Sequence, residues 1–238
     1  MQPTEGRLFL IPTRLGDNPP LEVLPLSIKK IIENTQHFIV ENEKSARRFI
    51  KRISPKKSQQ SLVIYVLNKF TDPAESHSFL DPCLQGHAVG LLSEAGCPAI
   101  ADPGSEIVRM AHDRDIRVIP LVGPSAILLA MMSSGMNGQN FAFNGYLPID
   151  KKERKQELKR LERLSSDKNQ SQIFIETPYR NNQILSDILQ TLNHNTRLCI
   201  ASDISLPSEF IRVKTIEAWH KSPVDLHKRP TIFIIHQD

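Results

Sequence analysis

Short apolar runs alternate with helix-like segments along the first half of the chain, and this alternation constrains the fold more than any other feature. The runs predict strands at Leu8–Ile11, Phe38–Val40, Leu62–Leu67, Val89–Leu92 and Val118–Val122. Helical spacing of apolar residues predicts helices at Pro25–Asn34, at Glu43–Ile53, from Pro73 onward, and at Gly104–Asp113. Alternating strands and helices are typical of an α/β fold with a mostly parallel, doubly wound sheet.

The pattern restarts after Val122-Gly-Pro-Ser-Ala126. Further helices are expected at Ala126–Ser134, Lys151–Leu164 and Asn181–Leu192, and residues 165–172 form a polar loop. Strands are expected at Phe141–Leu147, Ile173–Ile175, Leu198–Ala201, Phe210–Val213 and Thr231–His236. Strands spaced this closely near the C-terminus favour a mixed sheet. We therefore predict two α/β domains, residues 1–121 with a mostly parallel sheet and residues 122–238 with a mixed one.

Composition is that of a folded globular protein, with 39% hydrophobic and 24% charged residues. The longest apolar stretch is interrupted by Pro120, Gly123 and Pro124 and is too short for a membrane span of about 20 residues. The opening residues 1–6 lack the layout of a signal peptide. The three cysteines show no paired spacing. We therefore expect a cytoplasmic protein with no membrane partner and no metal.

The segment Leu91–Gly104 contains the densest set of special residues in the chain. It follows a predicted strand and holds two acids (Glu94 and Asp102), two glycines and two prolines. An ordinary strand-to-helix turn has about 2–6 residues. Ligands of open α/β sheets bind at the carboxyl ends of strands, where glycine permits close backbone approach. The sequence contains neither a P-loop nor the Gly-x-Gly-x-x-Gly fingerprint, so this segment predicts a different kind of ligand loop.

The segment Ser93-Glu-Ala-Gly-Cys-Pro98, with Asp102-Pro-Gly104, resembles the Ser-Asp-Ala-Gly-Thr-Pro and Asp-Pro-Gly signature of the tetrapyrrole methylase-type S-adenosylmethionine (SAM)-dependent methyltransferases. It is most similar to the branch that makes a 2′-O-methyl cytidine in 16S ribosomal RNA. The other segments that resemble this branch occur in the expected order: residues 8–16, 122–126, 141–148 and 174–180.

This resemblance implies a SAM cofactor held in a cleft between the two domains. The implied cofactor-binding residues of the first half are Pro12, Gly16, Ser93, Glu94, Ala95, Gly96, Cys97, Ser125 and Ala126. Those of the second half are Glu176, Thr177, Ala201, Thr231 and Ile232. The resemblance also implies a homodimer, and the apolar residues Leu128, Leu129, Met131, Met132 and Met136 are consistent with one.

Methyl transfer to a ribose hydroxyl requires a group that collects the hydroxyl proton. The candidates in the matched segments are Glu41, Glu176 and Arg180, with Asp203 as a further acid. Each has a structural alternative. Glu41 and Glu176 can serve as acids near helix starts, and Arg180 can pair with Glu176.

The segments expected to contact the acceptor differ from the branch. Its Glu-Asp-Thr-Arg motif is replaced by Glu41-Asn-Glu-Lys44, and its Lys-Gly-Glu motif by Lys228-Arg-Pro-Thr231. The helix that follows Glu41 carries cations on one stripe, of which Lys44, Arg47, Arg48 and Lys51 are candidate RNA contacts. A solvated helix face explains that stripe equally well. A second basic stretch, 151–163, is interpreted as a solvated helix, because Glu153, Glu157 and Glu162 dilute its charge.

Three functions remain open. The chain is a methyltransferase of small-subunit ribosomal RNA, a methyltransferase of a small acceptor such as a tetrapyrrole, or a SAM-binding protein that has lost catalysis. Salt-dependent RNA binding separates the first two, and turnover of SAM separates the third from both.

Overall fold

The computed structural model describes residues 6–237 and divides into two compact units, Met1–Ser125 and Ala126–Asp238. The predicted absence of a signal peptide concerns residues that lie mostly outside the described range. Residues 122–125 belong with the first unit, beyond the predicted boundary at Leu121. The backbone N–H of Leu121 donates to the carbonyl of Leu10, and a Cβ at Gly123 would lie 2.2 Å from Cγ of Pro12.

The first unit is a five-stranded sheet with strands in the order β3-β2-β4-β1-β5. All pairings are parallel, as predicted. The strands are β1 (Arg7–Ile11), β2 (His37–Val40), β3 (Val63–Val66), β4 (Ala88–Leu92) and β5 (Arg117–Pro120). The helices are α1 (Pro20–Val23), α2 (Leu26–Asn34), α3 (Glu43–Ile53), α4 (Pro73–Ser76), α5 (Asp81–Leu84) and α6 (Ser105–Asp113), with a 3₁₀ turn at His77–Leu80.

Two apolar clusters cover the two faces of this sheet. Phe38 belongs to one cluster and its neighbour Ile39 to the other, because successive side chains of a strand point to opposite faces. Helices α2 and α3 contribute Ile28 and Ile50 to the cluster of Phe38. Because both faces are covered, functional groups of this sheet are accessible at the ends of its strands.

The second unit has a mixed sheet with strands in the order β6-β7-β10-β8-β9. Only β6 and β7 are parallel; β10 runs antiparallel to β7 and β8, and β9 antiparallel to β8. The strands are β6 (Phe141–Tyr146), β7 (Ser171–Ile175), β8 (Arg197–Ser202), β9 (Phe210–Thr215) and β10 (Thr231–His236). The helices are α7 (Ala126–Ser134), α8 (Lys151–Lys168), α9 (Asn181–Thr191) and α10 (Ile216–His220). The predicted combination of a parallel and a mixed α/β sheet is therefore confirmed.

The core of this unit combines stacked aromatic rings with buried polar anchors. The rings of Phe174 and Phe233 lie 5.8 Å apart, and the indole of Trp219 donates to the carbonyl of Leu198. The fully buried guanidinium of Arg154 binds the Asp187 carboxylate through Nε at 2.9 Å and a terminal nitrogen at 2.6 Å. This pair ties α8 to α9.

The prediction of a polar loop over residues 165–172 is wrong. Helix α8 continues to Lys168 and is terminated by Asn169, which adopts the left-handed conformation (φ 47°), and β7 begins at Ser171. Some polar side chains of this stretch are buried. Ser165 has no exposed surface, and its hydroxyl accepts from the N–H of Gln237. The helix therefore continues through the polar residues and ends at the left-handed Asn169.

None of the helices in the described range 6–237 is long and apolar enough to cross a membrane.

Candidate functional site

Three loops meet at the carboxyl edge of the first sheet. They follow β1, β4 and β5, which are neighbours in the order β4-β1-β5. The N–H of Thr13 donates to the carbonyl of Gly96 at 2.9 Å, and the hydroxyls of Thr13 and Ser93 lie 3.2 Å apart. The thiol of Cys97 donates to the carbonyl of Pro124 at 3.5 Å. The predicted ligand loop is thus held from both sides by its neighbours in the sheet.

Predicted cofactor residues of the first unit lie in these three loops. Pro12 and Gly16 belong to the loop after β1, residues 93–97 to the loop after β4, and Ser125 to the segment after β5. Ala126 is the first residue of α7 and belongs to the second unit.

The loop after β4 has an unusual backbone. Four of its residues have positive φ: Gly96 (82°), Ala99 (62°), Ala101 (59°) and Gly104 (130°). Alanine pays a steric penalty in this conformation, and such strain concentrates at binding sites. At Gly96 the conformation requires glycine, and a Cβ there would also lie 3.2 Å from Cδ2 of Leu15. The loop therefore has a backbone shape that ordinary turns do not adopt, with Gly96 and Gly104 buried and Ala95 exposed.

Three carboxyl groups lie near one another at this edge: Glu41 directly after β2, Glu94 after β4, and Asp102 further along the same loop. Burial raises the pKa of Asp102 to about 6, with smaller contributions from the charges of Glu41 and Glu94. Burial, followed by the charge of Glu94, also raises the pKa of Glu41. Oδ2 of Asp102 is buried and has no hydrogen-bond partner in the described part of the chain. A cluster of carboxyl groups of this kind favours a ligand with positive charge.

Glu94 is fixed by a residue that the sequence analysis did not select. The hydroxyl of Ser45, in the first turn of α3, donates to Oε1 of Glu94 at 2.7 Å. Together with Thr13, Arg14, Arg48 and Phe49 these residues line a small pocket of about 110 Å³. No motif in the sequence marks Ser45. Only its position in the sequence indicates it, because it lies in the first turn of the helix that follows Glu41.

Two of the four cations in the predicted RNA-contacting stripe are engaged within the chain. Arg47 pairs with Glu43 at 2.7 Å and donates to the carbonyl of Gln59, and Lys51 donates to the carbonyl of Pro55. Lys44 is exposed, and Arg48 is exposed beside the pocket described above. Arg47 is therefore paired with an acid, Lys51 keeps its charge but is held by a neutral carbonyl, and Lys44 and Arg48 are exposed.

The predicted residues of the second unit also lie at one edge of their sheet. Ala201 and Ile232 are direct partners in the β8–β10 pairing, and the hydroxyls of Ser202 and Thr231 lie 2.8 Å apart. Glu176 and Thr177 follow β7 directly. Because β10 runs antiparallel to β7 and β8, its first residues lie at the carboxyl ends of both neighbours. These five predicted residues therefore lie at one edge, although they come from three separate segments.

Glu176 and Arg180 form an ion pair of 3.2 Å, and Oε1 of Glu176 accepts from the N–H of Thr177. Both are thus held in the arrangement expected of the structural alternative. Asp203 is similarly engaged, accepting from Nε of Arg229 at 2.8 Å. Arg229 was not predicted; it lies in the Lys228–Thr231 segment that differs from the branch, and its carbonyl accepts from Asn181.

No family model matches the sequence. Individual curated proteins do match over most of the chain. Ribosomal RNA small subunit methyltransferase I of Buchnera aphidicola (subsp. Schizaphis graminum) is 28% identical over 97% of this chain and 78% of its own length. The protein of the same name from Halalkalibacterium halodurans is 29% identical over 91% of this chain and 71% of its own length. That from Escherichia coli O157:H7 is 26% identical over 98% and 78%.

Solved structures share the fold at lower identity. The methyltransferase CobJ superposes with a TM-score of 0.65 and 14% identity over 98% of this chain and 94% of its own. Uroporphyrin-III C-methyltransferase of Thermus thermophilus, solved with S-adenosyl homocysteine, gives a TM-score of 0.58 and 17% identity over 98% of each chain. The resemblance found in the sequence is confirmed by the curated relatives, and the two-sheet architecture by these structures.

Proposed function

We infer that this chain, a divergent member of the tetrapyrrole methylase-type superfamily, is a SAM-dependent methyltransferase of small-subunit ribosomal RNA. The acceptor that best fits the resemblance is a ribose 2′-hydroxyl. The observation that carries the proposal is the match along 97% of the chain to a relative whose name states this activity. The solved structures of small-acceptor methyltransferases share the fold at 14–17% identity, which carries no statement about the acceptor.

The first unit has groups that suit SAM. Its sulfonium and amino groups are positively charged, and the edge of the sheet holds Glu41, Glu94 and the unpartnered Oδ2 of Asp102. Ala95 is exposed and has a small side chain, so a ligand can approach its backbone closely. Gly96 is buried, and its carbonyl accepts from Thr13 and Ser93. The cofactor would be held by the residues that the resemblance implies: Pro12, Gly16, 93–97, Ser125, Ala126, Glu176, Thr177, Ala201, Thr231 and Ile232.

When bound, SAM supplies an electrophilic methyl group with a good leaving group already attached. What remains for this chain is to position the acceptor hydroxyl and to receive its proton. Glu41 suits the second task, because its raised pKa makes it a stronger base than an ordinary surface carboxylate. Glu176 and Arg180 are paired with each other, so we assign them to orienting the site. Arg48 and Lys44 would contact phosphates beside the acceptor.

The decisive experiment supplies methyl-labelled SAM with small ribosomal subunits from a strain that lacks the orthologous modification. We expect label in the ribosomal RNA, at a nucleotide whose following phosphodiester resists alkali, as 2′-O-methylation requires. Subunits that already carry the modification serve as the matched control and should accept no label. Label in a tetrapyrrole instead would establish the small-acceptor alternative, and SAM binding without transfer to either would establish lost catalysis.

We also propose that the protein is a cytoplasmic homodimer. Cytoplasmic location follows from a ribosomal substrate. Helix α7 exposes Leu128 (52%) and Met132 (78%), which a second copy would cover. Light scattering should give twice the 27.0 kDa of one chain, and Met132→Lys should weaken the dimer. Ile149→Lys, at an equally exposed apolar residue outside α7, is the control. A single 27.0 kDa species at micromolar concentration would refute the dimer.

A further inference from the structure

A groove of about 620 Å³ between helices α8 and α9 has four lysines in its lining. Lys151, Lys155 and Lys159 follow one another at four-residue spacing, and Lys152 is seven residues before Lys159. Such spacings place side chains on one face of a helix. Gln190 and Thr191, at the end of α9, form the opposite wall.

The acids near this groove are committed elsewhere. Asp150 caps α8, accepting from the N–H groups of Lys152 and Glu153 at 2.9 Å. Asp187 is buried, and its Oδ2 accepts from two nitrogens of Arg154, while its Oδ1 lies 4.0 Å from Nζ of Lys151. Lys155 donates to the neutral amide oxygen of Gln190, which leaves its charge in place. The groove therefore has an excess of positive charge, with four lysines and one acid at ion-pair distance from Lys151.

Two of the three glutamates that should dilute this charge, Glu157 and Glu162, are engaged by other residues. Glu157 binds Arg160 through two contacts of 2.6 and 2.8 Å on the other side of the helix. Glu162 is buried and accepts from Asn193 and Thr196. Residues 151–163 form a solvated helix, as the sequence indicated, and its lysines cluster on the face that lines the groove.

We propose that this lysine groove binds the phosphate backbone of RNA. The choice of RNA among polyanions rests on the proposed function. Lysine ammonium groups are flexible point charges that contact phosphates without reading bases. The groove lies in the second unit, whereas Arg48 and the Ser93–Gly104 loop lie in the first, so it adds an independent contact. It supplies affinity and leaves acceptor choice to the other site.

The test compares two variants with the same change in net charge. Lys152→Gln with Lys159→Gln neutralises the groove, and both side chains are exposed, so melting temperature should change little. Arg160→Gln with Lys168→Gln removes two charges from the other side of α8 and is the control. Binding of a fluorescently labelled single-stranded RNA is measured by anisotropy at several salt concentrations, and SAM affinity is measured by calorimetry.

The groove variant should bind RNA about 10–30-fold more weakly near 0.1 M salt, and its log–log salt slope should fall by about 1.4, or 0.7 for each lost phosphate contact. The control should change affinity less than about twofold. Equal losses in both variants, or no loss in either, would overturn the proposal. So would binding of wild-type protein to phosphatidylserine vesicles but not to RNA.

The same variants separate this inference from the proposed function. Groove-dependent RNA binding without any methyl transfer by the wild type would leave the groove assigned and remove the methyltransferase activity. If the wild type transfers methyl groups to ribosomal subunits and the groove variant binds RNA as the wild type does, the groove assignment is wrong and the methyltransferase function stands.

Discussion

The hydroxyl of Ser45 donates a 2.7 Å hydrogen bond to Oε1 of Glu94, across 49 positions of the sequence. It links the start of α3 to the loop after β4 and fixes a carboxylate that faces the pocket beside Arg48. The branch signature has aspartate where this chain has Glu94. The additional methylene gives Glu94 the reach for Ser45, so the substitution is accompanied by a local contact.

This hydrogen bond should appear as an energetic coupling between the two residues. Ser45→Ala and Glu94→Asp should each lower the free energy of unfolding slightly, by about 0.5–1.5 kcal/mol. The double variant should lose less than the sum, because the second change finds the bond already broken. Denaturant unfolding of all four proteins measures the coupling. Strict additivity would show that the contact does not form in solution.

Gly96 should not accept a side chain. Its φ of 82° costs a non-glycine residue about 1–2 kcal/mol, and a Cβ would also crowd Leu15. We expect Gly96→Val to lower the melting temperature and to abolish SAM binding in calorimetry. Gly138→Ala is the control, because a Cβ there meets no atom within 4 Å. Unchanged SAM affinity in Gly96→Val would place the cofactor elsewhere.

The sequence predicted the order of elements well, because strands and helices carry local apolar patterns. Every strand predicted in the first half has a counterpart, although β5 ends at Pro120 and residues 121–122 continue as loop. The short helices α1 and α5 were missed. Each has only four residues, too few for an apolar period to show.

Side-chain pairing was less accessible from the sequence. Helical spacing put Arg47 and Lys51 on one basic stripe, with Arg52 directly after it, but the partners of these cations are set by tertiary packing. Arg52 binds Asp17, 35 positions away, in the loop after β1. A one-dimensional charge pattern cannot show which cations are neutralised in this way. It cannot show either that Asp102 is the acid with the most strongly raised carboxyl pKa in the described site.

Asp102 should make stability depend on pH. Its pKa in the folded protein, about 6, exceeds the ordinary 3.8, so the folded chain holds the proton more tightly than the unfolded chain. The resulting penalty is absent below about pH 4, grows as pH rises, and is complete above about pH 6. Asp102→Asn removes it. This variant should melt a few degrees higher than wild type near pH 8 and no higher near pH 4.

The pH dependence of SAM affinity is a second measure of the ionisation of Asp102. A cationic ligand favours ionised Asp102, so affinity for SAM should fall as pH is lowered through about 6. S-adenosylhomocysteine lacks the sulfonium charge and should show a weaker dependence. Calorimetry of both ligands at several pH values tests this. Parallel pH profiles for the two ligands would show that Asp102 does not sense the sulfonium.

Arg48 should matter more for RNA than its neighbours on α3. It is exposed beside the pocket of Ser45 and Glu94, whereas Lys51 is held by the carbonyl of Pro55. Arg48→Gln should weaken RNA binding by about fivefold near 0.1 M salt, the effect of one lost phosphate contact. Lys51→Gln carries the same charge change and should have a smaller effect. Equal effects would mean that α3 acts only through its overall charge.

Glu41 is the residue for which catalytic and structural roles separate most cleanly. The structure assigns the capping of α3 to Asn42, whose side chain accepts from the N–H of Ser45 at 3.1 Å. Glu41 therefore does not act as the cap of this helix. It lies at the carboxyl end of β2, where burial and Glu94 raise its pKa. A carboxylate in that position can accept the proton of a ribose hydroxyl.

Glu41→Gln should leave folding and SAM affinity near the wild-type values and should reduce methyl transfer by about 10²–10⁴, the usual contribution of a general base. Asn42→Ala is the matched control at the adjacent position. It should lower the free energy of unfolding by about 1 kcal/mol through loss of the cap and should leave turnover per folded molecule unchanged. Transfer rates, SAM affinities and melting temperatures of the two variants decide the matter. Near-normal transfer by Glu41→Gln would exclude this carboxylate as the base.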